Sequence, residues 1–303
     1  MKKKLMAIFC GSLLVLSGCS DATTTVQNDD KVLITVGDDE ITKGDMYTGL
    51  VAAGNITPVS TKMSEILVDK VVPVTDEIEE SAKETLASYK ESYGDDWEKT
   101  YQGYGYDTEE DFYNDVILLN ARVTKLTEAY VKDNFTELAK RFKPRKAEII
   151  EITDADKAEE ALKEAKKDDA DFAKIADTYG DKTTYNGSEA VYNTHSGLAD
   201  VLWNNISSVE KNNTVVDKVL QDTTSGTYYI VRVTNVSPKK FKEEAIESMK
   251  DITIDTSTTD EDGNTELSLA DQAFQYYLQK YDYSIHDINV YEALLSSSKK
   301  YER

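Results

Sequence analysis

The chain carries two imidazoles, His195 and His286, and two thiols, Cys10 and Cys19. The histidines are about 90 residues apart in unlike contexts with no ligand-spaced partner, so no metal site is expected. Acidic runs such as Asp38-Asp39-Glu40 and Asp260-Glu261-Asp262 lack the spacing of an EF-hand loop and read as solvated loops. No Gly-x-Ser-x-Gly elbow and no phosphate-cradling glycine loop occurs, which removes the serine-hydrolase and kinase readings. No cofactor is expected. What remains is chemistry at one cysteine, and binding chemistry in a chain with 19 Tyr against 7 Phe.

That cysteine sits at the end of an export signal. Lys2, Lys3 and Lys4 precede a short apolar run, Leu5 to Leu16, and then Ser17-Gly18-Cys19. The run is shorter than the roughly 20 apolar residues that span a bilayer. Leu16-Ser17-Gly18-Cys19 resembles the lipobox of bacterial lipoproteins, which implies acylation of Cys19 and cleavage before it. Cys10 leaves with the signal (residues 1–18), so Cys19 is the single thiol of the mature chain and no internal disulfide is available. Two or more acyl chains give a stable anchor where one does not. The expected location is the outer face of the cell membrane.

Removing 18 of the 303 residues leaves 285, enough for one large domain or several small ones. Losing three lysines and no acid moves the formal charge from −22 to −25, which repels nucleic acid and excludes it as a partner.

Residues 19–30 are polar and aperiodic and read as a tether. Val32 to Val36 reads as a strand ending at Gly37-Asp38, and Thr42-Lys43-Gly44-Asp45 as a helix start. A helical stripe of Met63, Ile66, Leu67, Lys70 and Val71 lies between Pro58 and Pro73. Thr75-Asp76-Glu77-Ile78 opens a helix stopped by Gly94. A further pattern runs from Thr108 through Phe112, Val116, Leu119, Val123, Leu126 and Tyr130 toward Phe142. Residues 31–143 are therefore mainly helical.

At Pro144 the character changes. Strands are expected at 146–152, 189–192, 215–220 and 227–233, and helices at 154–167, 171–180 and 198–206, a compact α/β module closed by Pro238. Helices resume at 241–250 and 267–280, with a polar loop between them and a last helix through Leu294 and Leu295. The fold class is α+β: a helical domain built from 31–143 and 238–303, with the 144–237 module inserted.

The lipobox, the Ile41–Tyr47 segment, the long helices, the middle module and the helical tail together resemble PrsA-type foldase lipoproteins. In that family the two ends pack into one helical chaperone domain of the SurA/PrsA kind, and the middle is a parvulin, a peptidyl-prolyl cis-trans isomerase. The resemblance implies an extracytoplasmic folding factor whose partners are unfolded secreted proteins. Dimerisation through the N/C domain stays open. Active parvulins carry a histidine in a first-strand motif Ala/Ser-x-His-Ile-Leu, and Arg145-Lys146-Ala147-Glu148-Ile149-Ile150 sets Glu148 at that position. The second histidine corresponds to Tyr229, the acid to Asp181, and the apolar pocket positions to Leu198 and Trp203. With both imidazoles replaced, the resemblance implies an isomerase that is weak or lost. A solute-binding lipoprotein of a transporter is the other reading, and it expects two similar α/β lobes.

Overall fold

A computed structural model describes residues 24, 26–181, 184–254, 256 and 266–302. The export signal and Cys19 lie outside the described residues, as does Asp260-Glu261-Asp262. Contacts divide the chain into two units, Met1–Lys62 with Gln279–Arg303, and Met63–Leu278.

The first unit opens with strand β1 (Val32–Val36), which pairs antiparallel with β2 (Asp39–Thr42). The two-residue turn between them has Gly37 at φ +64°, a backbone shape tight hairpins assign to glycine. Thr42 caps helix α1 (Lys43–Ala52) reciprocally with Asp45, the local chemistry that set the helix start in the sequence. Helix α2 (Thr57–Val71) begins in this unit, and the chain's last helix, Ile288–Ser297, packs against α1. The Asp287 carboxylate caps that last helix and also accepts from the backbone N–H and hydroxyl of Thr24, both at 2.7 Å. Burial raises the Asp287 pKa, but these hydrogen bonds outweigh it and hold the group below the usual carboxylate range. A depressed carboxylate stabilises the fold above its unfolded pKa and loses that contribution as pH falls through its folded value. Asp287→Asn should therefore loosen the tie to Thr24 at neutral pH and make much less difference in acid, which amide exchange of the last helix on both sides of that range would read.

The second unit begins with helices α3 (Asp76–Tyr93), α4 (Trp97–Gly103) and α5 (Glu109–Phe112). Thr75 and Thr108 cap α3 and α5 as read from the sequence, and Gly94 at φ +51° ends α3. Helix α4 had no sequence signal of its own; Trp97 anchors it, buried with Ala82, Phe112 and Ile117. A π-helical stretch, Tyr113–Leu118, leads into α6 (Leu119–Asp133). The pattern expected to run on toward Phe142 breaks at Asn134, whose side chain bonds back to the Tyr130 carbonyl at 3.0 Å before α7 (Phe135–Phe142) starts.

Next come β3 (Arg145–Ile152), α8 (Ala155–Ala165), α9 (Phe172–Tyr179), β4 (Asn186–Tyr192) and α10 (Asp200–Ser208). They are followed by β5 (Thr214–Val215), β6 (Leu220–Asp222) and β7 (Thr227–Asn235). The single strand expected at 215–220 is instead two short ones, each pairing with β7, because the chain loops out where Lys166 holds the Asp217 carbonyl at 2.6 Å. The antiparallel sheet runs β4-β3-β7-β5 with β6 also on β7. Helices α8 and α9 cover one face, burying Ile150, Ile152 and Ile230; α10 covers the other, burying Ile149, Val231 and Val233.

Helices α11 (Lys242–Lys250) and α12 (Leu269–Lys280) then return to the helical part, and α13 is the last helix described above. Phe135, Leu138 and Phe142 form one core with Phe241, Ile246, Met249 and Leu269, and the Tyr277 hydroxyl reaches Asp133 at 3.2 Å. Segments from both sides of the sheet module thus share a core, as the resemblance implied. Hydrophobic burial of this kind, at roughly 1.5–3 kcal/mol per large side chain, holds such helices together far more than their own propensity.

Gly187, near the start of β4, is a glycine the fold requires. It sits at φ +78°, and a Cβ there would come within 2.4 Å of the Phe172 carbonyl oxygen. Gly187→Ala should cost about 2–3 kcal/mol through strain and the displaced α9, read as an earlier urea midpoint with an unchanged slope.

Candidate functional site: the tyrosine-lined face of the sheet

Side chains alternate along a strand, so β3 presents Ala147, Ile149 and Glu151 to one face and Glu148, Ile150 and Ile152 to the other. Its register with β7 is continuous here, with Glu148 opposite Arg232, Ile149 opposite Val231 and Glu151 opposite Tyr229. Tyr229 belongs to the α10 face. Glu148 does not. Its carboxylate pairs with the Arg232 guanidinium at 2.5 Å, which also donates to the Ala170 carbonyl at 2.8 Å and lies 4.4 Å above the Phe172 ring. Glu148 is thus a brace under α8 and α9, and the structure does not bring it beside Tyr229. The physical reason is the two-residue period of the strand: Glu148, set at the imidazole position by the motif, falls on the face opposite Tyr229.

The other expected residues do gather. Tyr229 is buried in one cluster with Ile149, Leu202 and Ile206, and half-buried Leu198 and Trp203 pack against that cluster. Asp181 is exposed at the end of β3: its N–H donates to the Glu151 carbonyl at 3.0 Å, and its carboxylate accepts from the Thr153 N–H at 2.5 Å. Three residues were missed. Tyr185 packs edge-on against Tyr229, centroids 6.0 Å apart, and against Tyr192 at 6.5 Å. Glu151 donates its N–H to the Tyr185 carbonyl and accepts from the Thr184 N–H at 3.3 Å. Its signal was available in the sequence, since it shares the period of Ala147 and Ile149. Tyr185 and Tyr192 come from the α9–β4 connection and the end of β4, where no periodicity pointed to this face.

Burial pushes the Tyr192 phenol up to about 12, and it raises Tyr185 and Tyr229 as well, with the Glu151 charge adding to both. At neutral pH these three are hydrogen-bond donors with aromatic faces, and none is a base. His195 lies elsewhere, edge-on to Phe142, with its pKa lowered first by burial. His286 meets Ser284 at 3.1 Å. Among the described residues no group of three or more His, Cys, Asp or Glu side chains could hold a metal ion. Only the rim of the tyrosine-lined face, with half-buried Tyr185, Tyr192, Leu198 and Trp203, reaches solvent past α10. The face carries no imidazole pair to shape a twisted amide, whose barrier of about 18–20 kcal/mol comes from amide resonance.

Residues 126–251 match the family model described as the PPIC-type PPIase domain. The foldase protein PrsA of Streptococcus mutans is 29% identical over 93% of this chain and 88% of its own length. That of Streptococcus pneumoniae strain CGSP14 is 25% identical over 93% and 95%. A solved structure, a peptidylprolyl isomerase (PrsA) from Bacillus cereus, aligns over 91% of this chain and all of its own, with TM-score 0.43 and 16% identity. Residues 126–251 thus match the PPIC-type, or parvulin, domain model, and over 93% of its length the chain is similar to PrsA foldases, a similarity that supports a foldase role.

Proposed function

We propose that the chain is a membrane-tethered, extracytoplasmic foldase that works chiefly by holding unfolded clients, with isomerase turnover weak or lost. The observation that supports the second half is that Glu148 and Tyr229, which stand at the two imidazole positions of the motif, lie on opposite faces of the sheet, so the hydrogen-bonded pair an active parvulin uses is missing. Support for the tether is the Leu16–Cys19 lipobox, with lipid on Cys19 raising the local concentration of the chain where clients emerge. In this reading residues 144–237 are the inserted parvulin module, residues 31–143 and 238–303 supply the chaperone part, and the tether expected at 19–30 is held from Thr24 on by its bonds to Asp287. Among the described residues no helix is long and apolar enough to cross a membrane, in keeping with an anchor made of lipid.

Client contact is assigned to exposed apolar surface in the first unit. Val32, Leu33, Ile34 and Val36 of β1, Ile41 of β2 and Met46 and Leu50 of α1 are all exposed, and no residue of α1 is buried. Solvated apolar groups gathered in this way mark an interaction surface more often than an accident of folding. A homodimer formed through the same surface is the competing use of it. The transporter-receptor reading has no such support: it expects two lobes of repeated strand-helix units, whereas the described residues hold one five-stranded sheet and one hairpin.

A protease-coupled prolyl isomerase assay tests the division of labour. Turnover close to the uncatalysed rate is expected. Strong turnover that Tyr229→Phe or Asp181→Ala abolishes would overturn the binding-dominated reading.

A further inference from the structure

Glu151 is placed where it bears on what the site selects. Its carboxylate is directly opposite Tyr229 on β7 and on the same face of the sheet. It is half-buried, and among the described residues it has no cationic partner; its side chain accepts only the long Thr184 N–H bond. Its immediate surroundings are the Tyr185 and Tyr229 rings and, through the backbone, Asp181, a second carboxylate at the same end of β3. Partly desolvated charge without a counter-charge is unfavourable, and a cation supplied by a ligand relieves it. Aromatic faces beside a carboxylate add cation–π attraction for lysine or arginine.

We propose that Glu151 makes the tyrosine-lined face selective for proline-containing segments that carry lysine or arginine next to the proline. This rests on the reading that the parvulin face binds client polypeptide, and it adds which polypeptide. An apolar residue at that place gains only burial, and an acidic one meets Glu151 and Asp181 with like charge, the repulsive half of a specificity device. The preference should be electrostatic in origin and should shrink as salt rises, since the site is only partly shielded from solvent.

The test uses the full chain and three short fluorescein-labelled peptides, identical except for lysine, leucine or glutamate before a central proline, with binding read by anisotropy. The lysine peptide is expected to bind about fivefold more tightly than the leucine one and at least about tenfold more tightly than the glutamate one, the size expected for one partly exposed ion pair and its reversal. In Glu151→Leu, which removes the charge and keeps an apolar bulk, and in Glu151→Gln, which keeps the shape, the lysine and leucine peptides should become equal while all three still bind. Both variants should keep the tyrosine near-ultraviolet circular dichroism of the parent. Retention of the lysine preference in both variants, or its absence in the parent while the peptides bind, overturns the proposal and leaves the client-binding reading standing. Failure of all three peptides to bind overturns that reading and this proposal together.

Discussion

Replacing Arg232 with methionine should cost the chain about 3 kcal/mol or more of stability, and changing Glu148 to leucine in the same molecule should return most of it. The pair is largely shielded, with side-chain exposures of 22% for Arg232 and 15% for Glu148. Removing one partner strands the other charge in a poor solvent, which costs about 3–5 kcal/mol for well-buried pairs, whereas an apolar replacement of both is often neutral. Arg232 also contributes its bond to the Ala170 carbonyl and its stacking on Phe172, so the double variant should recover less than all of the loss. Urea unfolding of the parent, both single variants and the double variant gives the coupling directly. The same set checks the placement of Glu148. Because it lies on the α8–α9 face, Glu148→Leu with Arg232→Met should leave peptide binding and any residual isomerase turnover per folded molecule unchanged. A large loss of either in the well-folded double variant would restore Glu148 to the site.

The second large effect is expected at the hairpin. Ile34 and Val36 share a face of β1 and are 54% and 66% exposed. Ile34→Thr with Val36→Thr keeps the β-branched shape that strands favour and removes apolar surface that the native fold leaves in water. Stability should move by no more than about 0.5 kcal/mol, as for other surface substitutions. Client binding should fall about tenfold, the equivalent of roughly two lost methylene-sized contacts at about 0.8 kcal/mol each. Light scattering of an aggregating, chemically unfolded secreted protein reads this as the larger amount of variant needed for half-suppression. Sedimentation of the same two proteins separates the competing use of the surface. If the hairpin pairs copies, the variant drops to the monomer mass and suppression is unchanged.

Local chemistry was legible and non-local chemistry was not. Thr42, Thr75, Thr108, Asp154 and Asp171 each accept from a backbone N–H three residues on, so the sequence placed those helix starts without knowing the fold. Strand β3 was legible as a strand, but Glu148 was placed by motif position alone, without regard to which face of the strand it takes. Period-two alternation from Ala147 would have put Ile149 and Glu151 on the site face and Glu148 behind it. Tyr185 reaches the site only because the chain reverses after α9 and Glu151 takes its carbonyl, a contact across 34 positions that no local pattern encodes. The joining of the two ends has the same character. The tie from Thr24 to Asp287 spans 263 residues, and nothing in either segment announced it, since Thr24 lies in the stretch read as a tether.

The most direct test of a holding foldase follows one client in two channels at once, aggregation by light scattering and the proline-limited slow phase of refolding by fluorescence. Clients with non-native prolyl bonds refold over tens to hundreds of seconds, so the slow phase is easily resolved. The expected result is suppression of scattering at roughly stoichiometric amounts of this chain, with the slow-phase rate constant unchanged. Acceleration of the slow phase by catalytic amounts, with scattering unaffected, would contradict the account.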